Sequence, residues 1–226
     1  MKQVTFSILN STFSKARISP YLEKDDSAIQ VLEKYHANIS LSEAMHPTLH
    51  YFEVCLRNRI DQVIKKHYGA DWLINYPRQL ILSEQDIKKI ESIASKVRRE
   101  NKKEPIHDDI VAQMTFGFWC SFFHRKYDPA IWHRKDAVKI IFPNLPRVNR
   151  KRAYIENKIL TIKEIRNRIA HHEPVWNRKI SIIEAHTICH ELIQAMSNDA
   201  VEMLKSIDRF SSVHQELVIK PKVSCL

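Results

Sequence analysis

Apolar residues recur at steps of three and four along most of this chain, the spacing of helices that bury one face. In the segment from His46-Pro47 to Gly69, Leu49, Phe52, Leu56, Ile60, Val63 and Ile64 share a stripe, and the glycine is a natural C-terminal stop. An earlier helix, opened by Ser19-Pro20 with proline in its first turn, carries Ala28, Val31, Leu32 and Tyr35. Ser83 suits the cap of a helix from Glu84 to about Arg99, with Asp86 at the reciprocal position. The stretch "HDDIVAQMTFGFWCSFFHRKY" predicts the most apolar helix, and its Phe116, Trp119, Phe122 and Phe123 have the spacing of a core stripe. A short helix and a proline-bounded loop follow, then helices from about Arg147 to His172 and over Ser181 to Ile207. The expected fold is all-α, a bundle of about six to seven helices. Residues 1–19 are expected as an extension, 20–207 as a single domain and 208–226 as a loosely attached tail.

Composition agrees with helices, because only 2 glycines among 226 residues leave few tight turns for a β-rich fold. Charge adds a direction: 36 Lys+Arg against 26 Asp+Glu give a formal +10, which favours polyanionic partners such as RNA, DNA or an anionic membrane surface. No apolar run approaches the roughly 20 residues needed to span a bilayer. The first apolar run is broken by Thr5, Ser7 and Asn10 and makes a poor signal peptide, so the expected location is the cytoplasm, with no membrane partner. Four widely spaced cysteines form neither a disulfide framework nor a paired-cysteine metal motif.

The stretch "KEIRNRIAHHEPVW" concentrates the candidate chemistry. Ile155, Ile159, Ile162, Ile165 and Ile169 mark the buried face of their helix. A turn of about 100° per residue sets Asn167 and His171 together on the opposite side, with Arg166 flanking them. Arg168 and His172 point elsewhere and take supporting roles. Pro174 ends the helix near His172. An imidazole there can exchange a proton, and an arginine can fork onto a phosphate. The same residues also fit ordinary C-terminal capping, with Glu173 paired to Arg168 or Lys163.

Arg166-Asn167-Arg168-Ile169-Ala170-His171 resembles the arginine, polar residue, three variable residues, histidine signature of HEPN ribonuclease domains. "RNRIAHHEPVWNR", preceded in order by "EVCLRNRI", "YGADW" and "MTFGFWCSFF", is similar to the blocks of the Abi-like, abortive-infection family over roughly residues 20 to 205. The resemblance implies a HEPN-like helical bundle and a metal-independent endoribonuclease without cofactor, a toxin-like effector in phage defence. On that resemblance RNA is the expected partner and the site is expected at a homodimer interface; a further reading is a toxin half checked by a separate antitoxin or triggered by phage infection. His171 would be the general acid or base, Arg166 would stabilise charge on phosphate and Asn167 would orient either. Glu53, Arg57 and Asn58 are candidates for supporting that site, or Glu53 and Arg57 for an intrahelical ion pair.

Two rivals stand beside this reading. Arg147, Arg150, Lys151 and Arg152 could track a phosphate backbone in a non-catalytic RNA-binding or scaffold module. His171-His172 and His186, Cys189 and His190 offer metal ligands, yet no zincin or cysteine-knuckle spacing occurs, adjacent histidines point about 100° apart on a helix, and no metal is expected.

Overall fold

The computed structural model describes residues 4–74, 82–175 and 181–219. The fold is all-α, with no strand among the described residues. In chain order the α-helices are α1 (Phe6–Phe13), α2 (Lys15–Ile18), α3 (Ala28–Tyr68), α4 (Glu84–Asn101), α5 (His107–Gln113), α6 (Phe116–Ser121), α7 (Ala137–Ile141), α8 (Arg152–Ala170), α9 (Ile182–Met196), α10 (Asn198–Lys205) and α11 (Phe210–Ile219). The chain divides into two compact units: Met1–His50 with Thr161–His190 and Glu202–Leu226, and Tyr51–Leu160 with Glu191–Val201.

In the first unit Leu9, Ile18, Tyr21, Ala28, Val31 and Ala37 form a buried cluster, with Phe13, Tyr35 and Leu217 packed against it. The first nineteen residues, expected as an extension, thus hold two short helices that bury Leu9 and Ile18. Thr5 caps α1 by accepting the Ile8 N–H, and Ser14 caps α2 by accepting that of Arg17. The end of the chain differs from expectation in the same way: α11 occupies the predicted tail, and Leu217 on it touches the cluster. The buried Lys34 ammonium is neutralised by Glu23 at 2.7 Å and Asp26 at 2.8 Å, as burial of a charge demands.

The second unit is built on aromatic rings. Phe116, Phe118, Trp119, Phe122, Phe123 and Tyr127 are buried, so the helical spacing of Phe116, Trp119, Phe122 and Phe123 is that of core. Each ring withdrawn from water contributes about 2–3 kcal/mol. Asp61, itself buried, accepts from Trp72 Nε1 at 2.7 Å and from His107 Nε2 at 2.8 Å, and its other oxygen pairs with Lys65 at 2.8 Å. No polar group of Trp72 is therefore stranded in the apolar interior.

Several predicted boundaries move: the helix expected to open at Ser19-Pro20 begins only at Ala28, after a separate 3-10 turn over Ser19–Tyr21, and the one expected from about Arg147 begins at Arg152. The two helices expected on either side of His46-Pro47 are one 41-residue helix with Pro47 inside it. Proline removes one backbone bond and crowds the carbonyl four residues earlier, a cost of about 3 kcal/mol. The apolar stripe runs unbroken across it, since Leu41, Ala44, Met45, Leu49, Phe52 and Leu56 are all buried. The aromatic helix splits into α5 and α6 because Thr115 caps a new start, accepting the Phe118 N–H at 3.3 Å. The last predicted helix splits at Ser197, whose hydroxyl accepts the Ala200 N–H at 3.2 Å. Gly69, at φ +102, stops α3 as expected, and Ser83 caps α4 by accepting the Asp86 N–H. No described helix is long and apolar enough to cross a membrane.

Candidate functional site

α8 buries Ile155, Ile159, Ile162, Ile165 and Ile169, the face read from the sequence. Arg166, Asn167 and Arg168 are half-buried, and His171 and His172 are exposed at the helix end. The His171 N–H donates to the Asn167 carbonyl at 2.9 Å, so these two residues stand one helical turn apart. Side chains four apart on a helix are neighbours, with Cβ atoms about 5–6 Å from each other. An imidazole open to solvent thus has an amide one turn below it and the Arg166 guanidinium beside that amide in sequence.

The helix ends in a Schellman motif. His172 adopts a left-handed conformation at φ 56, its N–H donates to the Ile169 carbonyl at 3.1 Å, and the Glu173 N–H donates to the Arg168 carbonyl at 2.8 Å. Glycine is the usual residue at this position, and a side chain there costs about 1 kcal/mol. Pro174 follows two residues later and cannot continue the helix. His172 forms the turn through its left-handed backbone and His171 ends the last regular turn; both residues are exposed.

Two residues that the sequence pattern did not single out hold this end in place. The Arg17 guanidinium on α2 donates to the carbonyls of His171, at 3.2 Å, and His172. Asn38 on α3, only 3 % exposed, accepts the Val175 N–H on Oδ1 at 2.8 Å and donates from Nδ2 to the Glu173 carbonyl at 3.4 Å. An asparagine within the buried face of a helix was the available signal for Asn38, because a buried amide needs partners. Arg17 carried no such signal. Arg168 is held by Glu164 at 3.1 Å and Glu173 at 3.3 Å, the capping role that the sequence left open.

The remaining candidates belong to the second unit. Glu53 and Arg57 on α3 are half-buried, Asn58 is exposed, and Arg57 Nε is buried without a hydrogen-bond partner among the described residues. In the basic run, Arg147 and Lys151 are exposed. Arg150 donates to the carbonyls of Leu145 at 2.8 Å and Pro143 at 3.1 Å, and Arg152 to that of Phe123 at 2.8 Å. Arg152 also pairs with Asp128 at 2.8 Å and with Glu156.

The first unit also gathers the histidines of "HTICH". His186 Nε2 and His190 Nε2 stand 2.9 and 2.6 Å from one oxygen of Asp208. Cys189, offered by sequence as a companion ligand, is fully buried and its sulfur is not among the gathered ligand atoms; burial pushes its thiol far above the usual range. Burial also lowers the His186 imidazole, against the pull of Asp208. Burial pushes the other way on Asp208, but the Phe210 N–H and the two histidines hold its carboxyl below the usual range.

A profile of the Abi-like protein family matches residues 9–177, most of the chain, and the chain belongs to that family. The matched stretch contains Arg17, Asn38 and the whole end of α8; of the motif's resemblance, Trp176 to Arg178 lie outside the described residues. No curated protein and no solved structure matches the chain.

Proposed function

We propose that this protein is a metal-independent endoribonuclease of the HEPN type and acts as a toxin-like effector in phage abortive infection. The observation that carries the reading is the exposed His171 imidazole at a braced helix end, one turn above Asn167 and within the Arg166-to-His171 motif of an Abi-like family member. The net charge of +10 supports a polyanionic substrate.

The chemistry follows from these groups. The RNA 2'-hydroxyl gives its proton to an imidazole and attacks the neighbouring phosphorus. The bond from phosphorus to the 5'-oxygen breaks, and that oxygen takes a proton, leaving a 2',3'-cyclic phosphate and a 5'-hydroxyl end. Arg166 stabilises the charge that builds on the phosphoryl oxygens, where a two-point fork is stronger than a point charge. Asn167 orients the imidazole or the phosphate. The reaction needs one proton acceptor and one donor, and the motif supplies one imidazole. A symmetric dimer brings a second His171 to the same scissile bond, because an isologous contact repeats each residue on both sides.

Expression in a bacterial host tests the reading. Wild type should slow growth or block phage spread, with RNA fragments ending in 2',3'-cyclic phosphates, and His171→Ala should do neither. Intact RNA and normal phage yield with wild type would contradict it, and RNA binding without cleavage would point to a scaffold module.

A further inference from the structure

We infer that His186, His190 and Asp208 form a binding site for a divalent transition-metal ion, with zinc the best match to the donor set. Two neutral imidazoles and a carboxylate are a ligand set that zinc takes at about 2.0–2.2 Å, with water in the fourth position. The site lies C-terminal of the stretch matched by the family profile and does not rest on RNA cleavage.

Placement is the first support. His186 and His190 are one turn apart on α9, so both side chains project from the same face, the arrangement by which a single helix supplies two ligands to one ion. Asp208 arrives from the connection between α10 and α11. The three ligand atoms lie within 4.8 Å of one another. Both imidazoles present the same nitrogen, Nε2, to the same oxygen, Oδ2. A carboxylate that only had to satisfy two half-buried histidines would have a second oxygen for the second ring. Here that oxygen, Oδ1, accepts the Phe210 N–H at 3.0 Å instead.

Orientation is the second support. Ligands of structural and catalytic metals are held by an outer layer of contacts. The His186 ring stacks on Phe210 at 4.3 Å between centroids and 19° between planes, and the two imidazoles lie 4.6 Å apart. The side chains of His186 and Asp208 are 12 % and 11 % exposed and that of His190 is 28 % exposed, which leaves one open side for water as the remaining ligand.

Coordination requires the three ligand atoms, now within 4.8 Å of one another, to settle around one centre. Donors around a tetrahedral zinc stand roughly 3.3 Å apart, so the 2.6 and 2.9 Å separations between nitrogen and oxygen must widen by several tenths of an ångström. Each imidazole binds through the Nε2 lone pair with its proton on Nδ1. Asp208 binds as the anion. The ion then ties α9 to the start of α11 across a connection that otherwise depends on shared hydrogen bonds.

Zinc and cobalt titrations of the full chain test this. Wild type should take one equivalent of zinc per chain, show the visible absorption of tetrahedral cobalt on substitution, and melt at a higher temperature with zinc than without. Asp208→Asn, close in shape to the native side chain, should bind at least tenfold more weakly, and the His186→Gln, His190→Gln double variant should lose both the cobalt spectrum and the thermal shift. Circular dichroism of each variant without metal separates a lost ligand from a lost fold. Wild type that takes up no more zinc than the double variant, or whose cobalt spectrum survives both histidine substitutions, would overturn the proposal.

Discussion

The guanidinium of Arg17 lies 3.2 Å from the carbonyl oxygen of His171 and also meets that of His172, so a cation from α2 closes the C-terminal end of α8. The last carbonyls of a helix lack intrahelical donors and carry its negative partial charge. Arg17→Ala should cost about 1 kcal/mol of stability, and the looser helix end should lower RNA cleavage roughly tenfold. Denaturant midpoints and cleavage rates on one preparation check both, and Arg17→Lys should recover part of each.

Asn38 fixes the segment after α8 from the other side, through Val175 and Glu173. Asn38→Leu fills the space but leaves a buried N–H and a carbonyl unpaired, a loss of about 2–3 kcal/mol. The Val175 amide should then exchange its hydrogen with solvent much faster than in wild type. Unchanged exchange there would place the restraint elsewhere.

Asp61 joins Trp72, His107 and Lys65 in the second unit. Asp61→Ala strands the Trp72 and His107 donors and leaves Lys65 paired with Asp108 at 3.5 Å, and a fall of about 3 kcal/mol is expected. Urea unfolding followed by tryptophan fluorescence measures it directly.

Acid sensitivity should have a contribution from Asp136. The Lys66 ammonium, with His67 at 3.0 Å, lowers its carboxyl from the ordinary 3.8 to about 2. A carboxylate whose folded pKa is depressed stabilises fully above its unfolded value and loses that contribution as pH falls through the folded one. Between pH 3.8 and about 2, therefore, the melting temperature of wild type should fall more steeply than that of Asp136→Asn.

What the sequence revealed depended on how local each feature is. The isoleucine face of α8, the stop at Gly69 and the Ser83 cap involve residues within about one turn of each other, and periodicity or a capping residue exposes them. The passage of α3 through Pro47 was hidden because a local cost was outweighed by burial along both sides of the proline. Arg17 and Asn38 reach the end of α8 from residues more than a hundred positions away, and no spacing rule encodes such a contact. Asp208 likewise meets His190 across the whole of α10, which is why the sequence offered Cys189 in its place. The motif itself was legible as residues on one face; its bracing was legible only in the fold.

The central claim is that Arg166, Asn167 and His171 cleave RNA without a metal. Its most direct measurement is a time course of purified protein on labelled single-stranded and structured RNA in excess EDTA, with the products' ends identified. Wild type should generate 2',3'-cyclic phosphate ends. Arg166→Ala and His171→Ala should each reduce the rate at least a hundredfold, and Arg166→Lys should retain only part because an ammonium cannot fork onto phosphate. Cleavage that persists in both alanine variants, or no cleavage until a divalent metal is added by wild type that circular dichroism shows to be folded in EDTA, would contradict the account.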